Sequence, residues 1–215
     1  VIAREGMSFV LPTWLAWAIA VVAYLLLHSV AILIAAILLL LVALFVTYFF
    51  RDPQRIPPDG DEFILSPGDG KVILIDPVAD DKGDRKTLVS IFLSVFDVHI
   101  NRIPVSGRVI SVEHRPGKFL RAFERAAVTE NERAEIVIET PQGVVKFCQV
   151  AGIIARRIVC YLHGGETVTR GQKFGLIRFG SRVDLFLDEN VSINVKLGDR
   201  VKGGESIIGS FKQNR

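Results

Sequence analysis

The sequence predicts a mainly β fold, a compact β-sandwich of barrel-sandwich or lipoyl-like hairpins, preceded by a transmembrane helical hairpin. Three observations carry this. Residues 8–50 contain no Asp, Glu, Lys or Arg. The rest of the chain breaks into short apolar, often β-branched runs bounded by Gly, Pro or Asp. A turn unit of the form Gly-x-x-Val-x-x-Gly occurs twice, from Gly165 to Gly171 and from Gly198 to Gly204, each time ahead of a strand pattern.

The uncharged run comes first. As one straight helix it would extend about 64 Å at about 1.5 Å per residue, against a bilayer core of about 30 Å. A hairpin resolves the excess. One arm covers about 12–27, starting at the helix-compatible Pro12, and the second covers about 30–50. His28 and Ser29 form the polar turn between them. The first arm is short for a full crossing, so a tilted or re-entrant segment competes with it. A cleaved signal peptide fits poorly, because its apolar core is about 7–15 residues long. A buried helical pair in a soluble core is opposed by apolarity on every side. Arg4 precedes the hairpin, Arg51 and Arg55 follow it, and its turn carries no basic residue. This pattern puts both ends on the cytoplasmic side of the inner membrane.

Residues 51–62 form the exit linker. Pro53, Pro57 and Pro58 forbid a continuing helix and stiffen an extended segment. Residues 63–215 form the β-rich domain. Strand patterns fall at 63–65, 71–75, 87–93, 107–112, 134–139, 144–151, 157–161, 175–178, 182–187 and 207–211. Residues 119–127 are the best candidate for a short helical or irregular segment outside the membrane. Ser66-Pro67-Gly68-Asp69-Gly70-Lys71-Val72 reads as a third turn-then-strand unit. Two copies of the glycine unit are too few for a solenoid, so they are expected as paired hairpins of one domain.

The net charge of +3 lies within residues 51–215 and suits an anionic membrane surface. Basic residues are scattered without interleaved aromatics, which argues against nucleic acid as a partner. No histidine–cysteine spacing suggests a metal, and no glycine-rich nucleotide loop follows a strand. Cys148 and Cys160 fit a reducing compartment and are expected to be buried bystanders.

The residues that carry chemistry centre on Gly180-Ser181. The Ser181 hydroxyl can attack the Gly180 carbonyl, where no side chain obstructs it. The resulting ester can eliminate across Cα–Cβ of residue 181, and hydrolysis of the dehydroalanine leaves a pyruvoyl group. His99 can titrate near neutral pH and serve in proton transfer. Asp69 stands in a turn sequence, where a carboxylate can orient a histidine. Arg102, Arg156, Arg157, Arg178 and Arg182 are candidate contacts for a phosphate or carboxylate. A non-catalytic, membrane-tethered lipoyl-like adaptor or binding module is the alternative reading. It lacks a lysine at a hairpin tip in the setting a carrier needs. A decarboxylase of a soluble amino acid is a third reading, and it would not need the apolar hairpin.

The motif set resembles the short bacterial and archaeal phosphatidylserine decarboxylases over nearly the whole chain. The matching stretches are Phe50-Arg51-Asp52-Pro53, residues 66–70, residues 96–107 around His99, Glu130-Asn131-Glu132-Arg133, residues 155–160, and residues 178–184. The resemblance implies self-cleavage between 180 and 181 and a covalent pyruvoyl cofactor from Ser181. It implies a β chain of residues 1–180 held to an α chain of residues 181–215, a heterodimer open to higher assembly. It implies phosphatidylserine as substrate, converted to phosphatidylethanolamine, with Ser181, His99 and Asp69 catalytic and Arg102 and Arg182 near the substrate. Two positions depart from the larger members. Arg102 stands where those have a second histidine, and Arg182 where they have Ser or Thr. The base for self-cleavage is therefore expected to be His99 in a double role, with His114 and His163 as reserves.

Overall fold

The computed structural model describes residues 1–79, 83–153, 157–177 and 181–212, in two compact units, Val1–Pro53 and Gln54–Arg215. In the first, α1 (Met7–Leu27) and α2 (Val30–Phe49) form an antiparallel pair. The first arm is longer than the sequence suggested, because Pro12 lies inside α1 rather than at its start. Its 21 residues reach about 31 Å, enough to match an apolar core of about 30 Å. The proline falls in the second turn, where its missing N–H costs one helical bond. His28 ends α1 in the left-handed region at φ 50°, its amide donating to Tyr24 O. The arms are tied by Trp14 Nε1 donating to Thr47 Oγ1 at 3.0 Å. Gly6 leaves room for Phe50, which a Cβ there would meet at 2.4 Å. Outward positions such as Leu11, Leu15, Ile19, Leu38 and Leu41 are exposed apolar side chains.

The second unit is mainly β. Its fourteen strands among the described residues are β1 (Phe63–Leu65), β2 (Gly70–Ala79), β3 (Arg85–Leu93), β4 (Ile100–Arg102), β5 (Gly107–Arg115), β6 (Arg133–Thr140), β7 (Gly143–Val150), β8 (Ile158–Cys160), β9 (Thr167–Val168), β10 (Lys173–Ile177), β11 (Ser181–Asp188), β12 (Val191–Ile193), β13 (Arg200–Val201) and β14 (Ile207–Phe211). The large antiparallel sheet runs β13-β2-β3-β11-β7-β6-β5-β9. Two three-stranded sheets, β4-β10-β8 and β1-β14-β12, complete the unit. Val201 and Val168, from the two edge strands, join one buried cluster with Ile91, Val183, Phe147 and Ile136. The sheet therefore curls, and its concave face holds the core.

The glycine repeat explains the two edges. Gly165, Gly171, Gly198 and Gly204 all have positive φ, a conformation that other residues adopt at a cost. The copies make matching bonds. Gly165 N donates to Val109 O and Val109 N to Glu166 O, while Gly198 N donates to Val72 O and Val72 N to Asp199 O. Each unit thus caps one end of the large sheet, β9 beside β5 and β13 beside β2.

Residues 116–126 lie across the outer face of the sheet as irregular and turn structure, and helix forms only in α3 (Ala127–Glu130). One local expectation needs correction. Cys148 is buried, but Cys160 is only partly so. Burial pushes both thiols up, Cys148 far more, with Asp184 and Glu135 adding to its shift.

The exit segment is fastened to this unit. Arg170 Nη2 donates to Pro58 O at 2.8 Å, and its Nη1 donates to Gly60 O. Arg55, read from sequence as a topology charge, lies largely buried between Asp69 (2.7 Å) and Glu205 (2.9 Å).

Candidate active site

Ser181 opens β11, the fourth strand of the large sheet. Its Cα partner on β3 is Leu93. On the other side β7 runs antiparallel with Arg182 opposite Val150 and Val183 opposite Gln149. Alternation along β11 places Ser181 on the face of Val183, Leu185 and Leu187, which line the core. Ser181 is 0% exposed, and its Oγ has no hydrogen-bond partner among the described residues. A buried hydroxyl without a partner costs about 1–3 kcal/mol. Such atoms are uncommon enough to need a reason. Gly180, Arg178 and Arg156 lie outside the described residues.

The chain leaving β3 after Leu93 brings the next groups. Ser94 N and Oγ donate to Asp97 Oδ2 at 2.8 and 2.6 Å, closing a tight turn. His99 follows, 2% exposed, with Nδ1 2.9 Å from Asp97 O. A carbonyl only accepts, so Nδ1 carries the proton and Nε2 is the basic nitrogen. Asn101 is two residues on in β4 and fully buried. It accepts at Oδ1 from Gln149 Nε2 at 2.8 Å.

Asp69 sits one residue after Gly68, whose Cα faces Asn101 and Leu93. Its Oδ1 accepts from Gly203 N at 2.8 Å and its Oδ2 from Arg55 at 2.7 Å. Arg102 is buried; its backbone N donates to Pro67 O and its Nη1 to Gly171 O at 3.0 Å. A Cβ on Gly204 would press on Arg102 Cδ at 2.6 Å. Asp69 and Arg102 therefore meet the same glycine turn.

Arg182 points the other way. Its neighbours in the alternation are Asp184 and Phe186, on the outer face. Nη2 donates to Asp184 Oδ2 at 2.9 Å, and Nε lies 2.9 Å from Oδ1 off the hydrogen-bond direction. Nη1 reaches Ala122 O and Glu124 O at 3.0 and 3.2 Å. Burial pushes the Asp184 carboxyl up, against the pull of Arg182. The guanidinium thus clamps the 116–126 segment to the sheet, on the face away from Ser181. The reserve histidines are distant or exposed. His114 lies on β5, three strands from β11 and about 14 Å away by strand spacing, and its Nε2 is 3.4 Å from Glu132 Oε1. His163 is exposed and 3.0 Å from Glu166.

A cavity of about 480 Å³ is also on the outer face, lined by Lys86, Arg115, Arg133, Glu135, Lys146 and Phe186 among others. Ser181 is not in its lining.

A buried serine at the start of a core strand, with Gln149 diagonal to it and Asn101 bonded to Gln149, is a polar site enclosed by the core. The comparisons give that geometry a family. Residues 42–209 match the phosphatidylserine decarboxylase family. The chain belongs to the phosphatidylserine decarboxylase family. It is 47% identical over 210 residues to the phosphatidylserine decarboxylase proenzyme of Geotalea uraniireducens, covering 97% of this chain and 95% of that one. It is 50% identical over 171 residues to that of Pelobacter propionicus (79% and 78% covered). Against that of Chlorobium chlorochromatii it is 52% identical over 169 residues (78% and 80% covered). Membership makes this chain an enzyme of a decarboxylase family whose members are named as proenzymes.

Within this phosphatidylserine decarboxylase fold, sequence reasoning passed over Asn101 and Gln149. Both left a signal. Asn101 shares the period-two face of His99, and Gln149 is a polar residue in phase with the core positions Val145 and Phe147.

Proposed function

We propose that this chain matures by cutting itself between Gly180 and Ser181, and that the resulting enzyme converts phosphatidylserine to phosphatidylethanolamine at the membrane surface. One observation carries the reading: the buried Ser181 Oγ, without a partner among the described residues, at the head of a core strand in a chain of this family. The residues present fit a pyruvoyl group at position 181, since its neighbours Leu93 and Val183 are apolar and Gln149 and Asn101 are uncharged. That group supplies an electron sink for loss of carbon dioxide from an amino acid headgroup.

The chain's own residues do the rest. Ser181 Oγ is the nucleophile. His99 Nε2 accepts its proton and later delivers a proton to the substrate carbon, with Nδ1 held by Asp97 O. Asp69 contributes a negative charge at the Gly203 turn, beside the loop that carries Gly68. Arg102 is the candidate partner for the substrate's anionic groups. Arg182 is left out of that set, because its hydrogen bonds go to Asp184, Ala122 and Glu124. The apolar helices keep the enzyme in the leaflet that holds the lipid. Arg4 and Arg51 at their ends favour a cytoplasmic position for Gln54–Arg215.

Intact mass under denaturing conditions tests the reading. Fragments 1–180 and 181–215 are expected, the second blocked to N-terminal sequencing. Ser181→Ala is expected to stay whole and inactive. An uncut, sequenceable chain in active enzyme would overturn the proposal.

A further inference from the structure

Three buried polar residues, two on the core face of the large sheet and one on β4, each have one atom without a hydrogen-bond partner among the described residues. The atoms are Ser181 Oγ, Asn101 Nδ2 and Gln149 Oε1. All three residues are 0% exposed. Their proximity follows from register. Gln149 is the Cα partner of Val183, so it is the diagonal neighbour of Ser181 on the same face, a separation of about 7–8 Å that is somewhat less between Cβ atoms. Leu93 is directly opposite Ser181 on the other side. Asn101 lies between these two neighbours. Its Oδ1 takes the bond from Gln149 at 2.8 Å. Its Nδ2 would lie 3.2 Å from a Cβ on Gly68, and the Leu93 methyls 3.3 and 3.4 Å from that same point.

The amide orientations are fixed by chemistry. Gln149 Nε2 also donates to Val159 O at 3.3 Å, and a carbonyl admits only a donor, so the nitrogen belongs there. Asn101 must then offer its oxygen to Gln149. Its Nδ2 is turned the other way, toward Gly68 and the methyls of Leu93, the Cα partner of Ser181.

We propose that Asn101 Nδ2 is the hydrogen-bond donor that stabilises the oxyanion of self-cleavage, with Gln149 holding it in place. This rests on the self-cleavage reading above. In the step, the bond between Ser181 Oγ and the carbonyl carbon of residue 180 forms, and the C–N bond to Ser181 breaks. The hydroxyl proton passes through His99 to the departing nitrogen, and no oxidation occurs. Between the two events the carbonyl oxygen carries a full negative charge. That carbon is one covalent bond from Ser181 N, and Asn101 Nδ2 lies by Leu93, directly across from Ser181. A preset donor in a dry site costs no reorganisation when the charge appears, and removing one slows comparable reactions about 100-fold or more. It also explains why the fold tolerates buried polar atoms here: their use comes in the cut.

The test follows newly made full-length chain in detergent, single chain against fragments, by gel and intact mass. Asn101→Ala is expected to cut at least about 100-fold more slowly than wild type, and hydroxylamine, which opens esters, is expected to release no additional fragment 181–215. Cleavage within a few-fold of wild type would overturn the inference, as would a slow variant from which hydroxylamine frees the fragment, since the ester would then have formed normally. If Asn101→Ala does not fold, the near-isosteric Asn101→Asp decides by the same criteria. Its deficit is expected to shrink as pH falls and the carboxyl gains a proton to donate; a deficit independent of pH would count against the role. A wild-type chain that never cuts at 180–181 would instead remove the self-cleavage reading itself, which separates the two failures.

Discussion

His99 and Arg182 show how little residue type says about role until a face is assigned. His99 has Asp97 O on Nδ1, which leaves Nε2 as its basic side. Arginine stays protonated at neutral pH, so Arg102, at the place of a second histidine, can steady an anion but cannot serve as a base. His99→Ala is therefore expected to remain a single chain by gel, rather than to cut and lose only turnover. Normal cutting together with normal turnover would remove it from the mechanism. Arg182 carries the same charge as Arg102 but lies across the sheet, in a fork with Asp184, both about 1% exposed. Arg182→Met strands a buried carboxylate. It is expected to cost about 3 kcal/mol or more, read as a lower melting temperature of the Ser181→Ala background chain in detergent. Added Asp184→Leu should recover part of the loss, since removing both charges leaves neither unpaired. A melting temperature equal to the parent's in Arg182→Met would show that the fork contributes nothing.

The outer face of β5, β6 and β7 carries a second charge cluster, and it gives the fold its acid sensitivity. Glu135 on β6 meets Arg133 at 2.7 Å, Lys146 at 2.8 Å and Arg115 at 3.2 Å. Burial pushes its carboxyl up, but hydrogen bonds from Lys146 and Arg133 and the charges of Lys146 and Arg115 outweigh this, so the net shift is downward from 4.5. A folded-state pKa below the unfolded one contributes stability that is present above about 4.5 and is lost as pH falls through the folded value. Glu135→Gln is expected to melt lower than its parent at pH 7, by about 2 kcal/mol of stability, with the gap closing as pH falls below 4.5 through the folded-state value. A gap unchanged by pH would contradict the assignment. How far such elements were legible follows from length and pattern. Apolar runs such as 87–93, 144–151 and 182–187 announced β3, β7 and β11 to within two residues, because alternation over several positions is hard to mistake. The glycine repeat announced turns, since positive φ selects glycine at all four positions. β4, β9, β12 and β13 went unseen, being two or three residues long and defined by partners far along the chain. The pair Asn101–Gln149 spans 48 residues, and no local pattern reports such a distance. The partners of Arg55, Asp69 and Glu205, come from remote turns and were not legible for the same reason.

At the scale of the whole molecule, the proposed cut poses a physical question: what keeps a 35-residue piece in place once its covalent bond is gone? Residues 181–215 contribute β11 to the middle of the large sheet, between β3 and β7, and β13 to its edge. They also supply β12 and β14, which pair with each other and with β1. Val183, Leu185, Leu187, Val191, Val201, Ile208 and Phe211 all belong to the shared core. At about 1.5–3 kcal/mol for each fully buried side chain, the gross apolar gain is on the order of 10 kcal/mol before any strand bond is counted. The cut falls at the entrance of β11, so no pairing within the sheet is severed by it. The two pieces are therefore expected to elute as one species from a sizing column in mild detergent and to part only in denaturant. Leu185→Ala, at the centre of β11, is expected to weaken the core by about 2–5 kcal/mol. It should let the small fragment dissociate at lower denaturant than in the parent. Spontaneous loss of the 181–215 fragment from the parent protein in mild detergent would show that this core does not hold the pieces together, and a single mature complex would then need a contact that the sheet does not provide.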